Sequence, residues 1–386
     1  MKTVIGLMSG TSVDAIDCVI MQFSGQKNLR WQLIGCLNYP WQPVVRTAIL
    51  DACRPDYPVQ QLTLLNFRLG QCFAQAVLEL CTATGYPVDE VDAIACHGQT
   101  VWHQPTAMMC AEELARGTVQ IGEPAVIASM TGRVVLSDFR AADMAVGGQG
   151  APLVPWWDWR VMSSTRESRI VQNIGGIANA TYLPQRGNVN NVIAFDTGPG
   201  NMVIDWLMAS MTGGATNFDD GGTFASTGRV NNLLLSELLE HPFFSMPPPR
   251  STGRESFGAE FARRVLHTAK LRRMCDKDIV ATVTELTAVS IADAYRKWLP
   301  NSAMEGTVVL GGGGVRNAYL VDRLQLQLAG TSIKTHSHFG IPDDFREAMA
   351  FALLGYERLL HRCSNVMCAT GASRPVCLGK STLPPG

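Results

Sequence analysis

One pattern occurs twice in this chain, and it constrains the fold more than any other feature. Near the N-terminus, TVIGLMSGTSVDAIDCVIMQF joins two apolar runs, Thr3 to Met8 and Ala15 to Phe23, through a turn of Ser, Gly, Thr and Asp. In the second half, SRIVQNIGGIANATYLP repeats strand, glycine turn and strand. Two halves that open alike predict a duplicated α/β architecture with a cleft between the copies, and ligands in such proteins lie beyond the carboxyl ends of strands. The first turn also holds more polar chemistry than a hairpin needs. Ser9, Thr11 and Ser12 bring hydroxyls, and Asp14 and Asp17 follow, whereas Asn-Gly or Gly-Gly suffices for a bend.

At 386 residues the chain is long for one core, so two domains are expected. The first is placed at 1–140, the second at 141–354, and the segment 355–386 is expected to pack back on the first. A chain that is 46% hydrophobic and 17% charged buries sizeable cores and is not disordered. Its formal net charge of -1 offers no general attraction for nucleic acid or an anionic membrane, which leaves a small molecule as the favoured partner. Ser9 interrupts the first apolar run, so no secretory leader is read there. No run approaches the roughly 18 apolar residues of a membrane span. The 11 cysteines are odd in number and scattered, with no CxxC or HExxH spacing, which fits a reduced, cytoplasmic enzyme without structural zinc.

Periodicity predicts a helix over 59–83, with DAIACHGQT a buried strand entering a polar turn and GRVVLSDFR a further strand. The small residues of AADMAVGGQGAPLVP read as a loop applied closely to a ligand or neighbour. Further on come VIAFDTGPGN, a helix from Met202, and a Pro-rich connector, MPPPRSTGRESFG, read as a mobile loop. Helices are expected over 278–298 and 344–362, and TVVLGGGGVRN is a strand emptying into four glycines.

The motifs bear on chemistry, each with a plainer alternative. The amides and hydroxyls of SGTSVDAID suit phosphate oxygens, or they belong to an ordinary hairpin. Neither GxxxxGK[ST] nor GxGxxG is present, which disfavours a P-loop NTPase and a Rossmann dehydrogenase. The run Gly311 to Gly314 admits a bulky ligand such as a nucleoside, or only a tight turn. Asp196 in AFDTGPGN follows an apolar run and is expected at a strand end. Gly198 and Gly200 then turn the chain into a helix whose N-terminus favours anions. A carboxylate so placed can take a proton beside a phosphoryl group, or merely cap the helix. His97, Gln99 and Thr100 suit a polyhydroxylated ligand better than a metal. Arg140 and Asp143 suit a carboxylate or phosphate, or pair with each other. Glu347, by physics alone, is an acidic residue at a helix start. Trp156, Trp157 and Trp159 are read as packing rather than sugar stacking.

Together these segments resemble the anhydro-N-acetylmuramic acid kinases. IGLMSGTSVDAID, CHGQTVWHQP, VQIGEP, SDFRAADMAVGGQGAPLVP, NIGGIANATYL, FDTGPGNMVID, STGRESF, TVTELTAVSIA, LGGGGVRN, GIPDDFREAMAFALLGY and TGASRPVCLGK follow the family order over nearly the whole chain. The resemblance implies two duplicated actin-like, ribonuclease H-like ATPase domains closing on Mg-ATP. It also implies a kinase of cell-wall recycling that opens the 1,6-anhydro bridge of 1,6-anhydro-N-acetylmuramic acid with water and phosphorylates O6. Asp196 would then be the general base. Gly10, Thr11, Ser12, Val13, Asp14, Ala15, Ile16 and Asp17 would cradle the phosphates, joined by Asn173, Gly175, Gly176 and Gly198, while Gly311, Gly312 and Gly313 border the adenosine. His97, Gln99, Thr100, Arg140, Asp143 and Glu347 would line the sugar pocket, with Arg140 facing the lactyl carboxylate. No direct metal ligand is implied; Mg²⁺ would come with ATP and reach Asp14 through water. A cytoplasmic homodimer is implied as well. Ala15 stands where the family pattern has glycine, FRAAD is less basic than usual, and NFDDGG replaces a FDKDG-like segment. Two other readings remain: a kinase for another anhydro sugar such as levoglucosan, and a non-catalytic actin-like nucleotide sensor.

Overall fold

The computed structural model describes residues 1–10 and 12–386; Thr11, assigned above to the phosphate turn, lies outside the described residues. The chain divides into two compact units, Met1–Val161 with Asp344–Gly386, and Met162–Asp343.

In the first unit the strands are β1 (Lys2–Ser9), β2 (Ala15–Ser24), β3 (Arg30–Pro40), β4 (Ala93–Cys110), β5 (Glu113–Ile121) and β6 (Val135–Ser137). β1 runs antiparallel to β2 and parallel to β4, β2 is antiparallel to β3, and β6 is parallel to β4. A short last strand, Lys380–Thr382, closes the β6 edge in antiparallel register. β1 is buried along nearly its whole length rather than on alternate residues, because helices cover both faces of the sheet. Val59–Thr84 packs on β2 and β3, and Arg346–Leu359 packs on β1, β2 and β4.

The second of these helices explains why the unit resumes at Asp344, earlier than the expected 355. It seats on glycine: a Cβ on Gly6 would meet the Ala348 carbonyl at 2.0 Å, and one on Gly355 would meet the Ala95 side chain at 2.6 Å. The unit also keeps the chain to Val161 rather than releasing it at 140, since buried Asp158 receives Arg346 from that helix. β4 continues past the turn expected at Gly98–Thr100 because β5 pairs with it from Gln99↔Ile121 to Cys110↔Glu113. The small-residue loop after Arg140 opens with a short helix, Ala141–Ala145.

The second unit holds β7 (Arg169–Ile174), β8 (Ile177–Leu183), β9 (Ile193–Pro199), β10 (Thr307–Gly311) and β11 (Ser332–Thr335), in the order β11-β10-β7-β8-β9. β7, β8 and β9 pair antiparallel, while β7, β10 and β11 are parallel. The sequence β6-β4-β1-β2-β3 of the first unit carries the same directions in the same order, so each unit is a ribonuclease H-like sheet. The helix Asp276–Trp298 packs along β9 and is buried through most of its length.

Among the described residues no two cysteines are joined in a disulfide. Among the described residues no helix is long and apolar enough to cross a membrane.

Candidate active site

In the first unit, the turn between β1 and β2 is fixed from behind. Ser9 is buried, donates to Gln99 Oε1 at 2.6 Å and accepts from Trp41 Nε1 at 3.1 Å. Arg46 donates to the Val13 carbonyl at 2.9 Å and also reaches the Ser12 carbonyl and the Asp14 carboxylate. Val13 holds φ +54°, a left-handed conformation that a β-branched residue adopts at a cost of about 1–3 kcal/mol. Ser9, Trp41, Gln99 and Arg46 hold the strained residue in place through these contacts. A Cβ on Gly10 would meet no protein atom within 4 Å, so protein packing does not require glycine there. Asp14 is exposed beside it. Ala15 and Ile16 open β2, and Asp17 pairs with Met8 in the ladder. Gln99 spends its amide on Ser9, the Thr100 carbonyl and the Gly10 carbonyl. It joins the end of β1 to the middle of β4.

His97 and Arg140 form a buried pair whose protonation follows from chemistry alone. The Gly98 carbonyl, 2.9 Å from Nδ1, can only accept, and Arg140 Nε, 3.1 Å from Nε2, can only donate. His97 is therefore the neutral Nδ1–H tautomer. Burial and the adjacent guanidinium push its pKa down to about 3. Arg140 Nη1 donates to the Gly150 carbonyl at 2.8 Å. Among the described residues its Nη2 has no protein acceptor, so one edge of a charged fork remains for a ligand. Burial lowers the Arg140 pKa to about 10, opposed by Glu347. Beside His97 lies a polar cavity of about 300 Å³ lined by Cys96, Gly98, Gln120, Glu123 and Asp138, among others. Thr100 sits next to it and accepts from Gln120 through its hydroxyl.

Asp143 is placed differently from the expectation. It is fully buried, with Oδ2 accepting from Gly150 N–H and Oδ1 from Asn365 and Thr370. It braces the loop on which Arg140 leans and presents no open oxygen. Glu347 is exposed in the first turn of Arg346–Leu359. The Asp17 pKa rises to about 6, chiefly through burial; Asn38 opposes the rise, and Glu347 and Asp344 add to it. Carboxylates that repel one another favour a nearby cation. Yet among the described residues no three His, Cys, Asp or Glu side chains gather as a metal set.

In the second unit, Asp196 lies inside β9 rather than at its end. The strand runs on to Pro199 across a register shift opposite Ala178 and Asn179. The Pro-rich connector, expected to be mobile, is tied to it. Asp196 N–H donates to the Arg250 carbonyl, Arg250 Nε donates to the Asp196 carbonyl, and Thr252 N–H donates to Asp196 Oδ2 at 2.8 Å. Burial lifts the Asp196 carboxyl to about 6, against the Thr252 amide and Arg250. Such a group is mostly ionised at neutral pH and still basic enough to accept a proton. Turnover that needs the ionised form is expected to fall as pH drops through about 6. Asp17 rises to a similar value, so the acid limb should persist in Asp17→Asn. A flat kcat/KM profile between pH 5 and 8 in the parent enzyme would rule out Asp196 as an ionised base.

The glycines of this unit divide by cause. The carbonyls of Gly175 and Gly176 accept from the amides of Gly200, Asn201 and Met202. The first β-turn thus docks on the start of the helix Met202–Met211. A Cβ on Gly198 would crowd Phe244 and Ser290. In the run after β10, a Cβ on Gly311 would strike the His336 ring, one on Gly314 would strike Ile174, and Gly312, at φ +82°, lies against Asn173. Only Gly313 faces open space, with Asn201 Nδ2 at 3.8 Å. Gly313 is therefore where a ligand could approach the backbone, while its neighbours are glycine for protein packing.

Sequence reasoning missed Arg46, Trp41, Arg250 and Thr252. Each acts across a long chain separation, and only STGRESF among the recognised motifs pointed toward any of them. Trp156 and Trp157 are buried, in line with packing.

The family model for anhydro-N-acetylmuramic acid kinase matches residues 2–384. A relative from Caldanaerobacter subterraneus subsp. tengcongensis, an anhydro-N-acetylmuramic acid kinase, is 42% identical over 384 residues, 99% of this chain and 97% of its own length. One of the same name from Cyanothece sp. is 42% identical over 383 residues, 98% of each chain. Among solved structures, component A of the (R)-2-hydroxyglutaryl-CoA dehydratase of Acidaminococcus fermentans aligns with 93% of this chain and 100% of its own, at 13% identity and TM-score 0.47. The match of the family model along nearly the whole length, with the strand order of both units and the half-buried Asp196 beside its glycine turn, places the chain in the anhydro-N-acetylmuramic acid kinase family.

Proposed function

We propose that this protein is an ATP-dependent kinase of 1,6-anhydro-N-acetylmuramic acid that opens the anhydro bridge with water and phosphorylates O6. The observation that carries this reading, beyond family membership, is Asp196: a half-buried carboxylate held near pKa 6, with one oxygen fixed by a backbone amide. Asp196 takes a proton from water as the water oxygen bonds to C1. The C1–O6 bond breaks, and its electron pair stays on O6. O6 then bonds to the γ-phosphorus while the bond to the β-bridging oxygen breaks, giving N-acetylmuramic acid 6-phosphate and ADP. The proton on Asp196 returns to solvent. One carboxylate serves both steps, because the charge released by ring opening is the nucleophile for transfer.

Arg140, aligned by His97 and the Gly150 carbonyl, faces the lactyl carboxylate, and the polar cavity beside His97 takes the sugar. The strained turn at Gly10 to Asp17 receives the phosphates of the nucleotide. Mg²⁺ brought with ATP would supply charge neutralisation at the phosphates, and Asp14, exposed at the turn, would reach it through water. The same reading places the enzyme in the cytoplasm, in peptidoglycan recycling, as a homodimer. ADP release is measured with Mg-ATP and either 1,6-anhydro-N-acetylmuramic acid or levoglucosan. Turnover of the muramic sugar alone is expected. Turnover of levoglucosan alone would move the assignment to another anhydro-sugar kinase, and ATP binding without turnover of either would favour a nucleotide sensor.

A further inference from the structure

We infer that Gln120 is a specificity-determining residue of the sugar site: its side-chain carbonyl accepts a hydrogen bond from the N–H of the sugar's acetamido group. The inference deepens the reading of the muramic sugar as substrate and rests on it.

Most polar side chains lining the cavity beside His97 are already engaged by the protein. His97 commits both ring nitrogens, to Gly98 and Arg140. Asn66 donates to Glu123 Oε2 at 3.0 Å and accepts from the Gly122 amide at 2.7 Å. Glu123 Oε1 accepts from the Ala125 amide, and Asp138 Oδ2 holds Lys380. Gln120 differs. Its Nε2 donates to the Thr118 hydroxyl at 2.7 Å and to the Thr100 hydroxyl at 3.2 Å. Two bonds to one nitrogen fix the amide plane and turn Oε1 away from both threonines. Among the described residues Oε1 has no donor, and it is not one of the polar atoms shielded from solvent, so it is open to the cavity that Gln120 lines.

The wall is thus rich in acceptors: Gln120 Oε1, the remaining lone pairs of Glu123 and the Asp138 carboxylate. A ligand that fits must turn donors toward it and keep its own carboxylate elsewhere, at Arg140. In 1,6-anhydro-N-acetylmuramic acid the bridge occupies O1 and O6, and the lactyl ether occupies O3. The donors left at neutral pH are the acetamido N–H on C2 and the hydroxyl on C4. Both flank the carbon that bears the lactyl group. The hydroxyl rotates, and Ser137 or Asp138 can serve it. The N–H is fixed by its own amide plane. A pinned acceptor suits a fixed donor, since neither gives up much freedom on binding.

Gln120→Met keeps the side-chain length and removes both polar atoms. Its affinity for 1,6-anhydro-N-acetylmuramic acid, measured by calorimetry, is expected to fall about 10-fold, the range of one neutral hydrogen bond whose donor is left stranded. KM should rise by a similar factor with kcat within about threefold, because the contact is made before and during reaction alike. The analogue lacking the acetamido group should bind parent and variant equally to within about twofold, whereas the 4-deoxy analogue should still lose about 10-fold. Gln120→Asn withdraws the amide by one methylene. It should show the same pattern, and it carries the test if melting curves show the methionine variant misfolded. Three outcomes overturn the inference: parent-like affinity of both variants for the muramic sugar, an equal loss on the analogue without the acetamido group, or a loss that disappears with the 4-deoxy analogue instead. A parent enzyme that does not turn over the muramic sugar would remove the proposed function itself, and that assay is separate from the binding cycle.

Discussion

Asp196→Asn is expected to lower turnover at least about 10³-fold while changing ATP affinity by no more than about threefold. The substitution preserves volume and still offers an oxygen to Thr252 N–H. With that oxygen committed, the amide nitrogen faces the reacting side, where it donates and cannot accept a proton. The loss should exceed that of a simple general-base deletion, because the same proton transfer generates the O6 nucleophile for the second step. Steady-state ADP release and calorimetric titration of nucleotide separate the two effects. Turnover within tenfold of the parent would remove Asp196 as the base. Lost ATP binding would mean that the Arg250–Thr252 segment had collapsed rather than the chemistry.

The second large effect is one of specificity. Arg140→Met removes the charge and keeps most of the stem. If Nη2 grips the lactyl carboxylate, the lost charge-assisted bond is worth about 2–3 kcal/mol, so KM for the muramic sugar should rise roughly 10²-fold. kcat should change less, since the contact is made equally before and during reaction. An anhydro sugar without the lactyl group, followed by binding because its turnover is not expected, should lose no affinity. The substitution also strands His97 Nε2 and the Gly150 carbonyl, now bonded to Arg140, at about 1–3 kcal/mol each. A lower melting temperature is therefore expected, and rates should be read below it. Equal losses on both sugars would show that Arg140 holds the loop and not the carboxylate.

What the sequence revealed depended on distance along the chain. The β1–β2 hairpin and the glycine turn before β8 were legible because apolar runs flank polar turns locally. Asp196 was legible for the same reason, although β9 continues three residues beyond it. β5 was not, because its residues from Glu113 to Gly117 are exposed and carry no apolar alternation. Asp143 read as a ligand residue because its true partners, Asn365 and Thr370, lie far away in sequence. MPPPRSTGRESFG read as a mobile connector from its prolines, whereas Arg250 enters the core of the second unit and the Thr252 amide returns to the Asp196 carboxylate. The four glycines from Gly311, the last residue of β10, to Gly314 looked equivalent until their neighbours were known; only then did Gly313 separate from the three that packing demands.

The most direct test of the central claim follows the oxygen. The muramic sugar is turned over with Mg-ATP in ¹⁸O-labelled water, quenched early, and fragmented by mass spectrometry beside preformed product incubated in the same water to correct for exchange at the anomeric carbon. The label is predicted on the C1 hydroxyl above that background, with the O6 phosphate ester unlabelled at its bridging oxygen. A C1 oxygen labelled no faster than the control, or label at the bridging position, would contradict opening by water activated at Asp196.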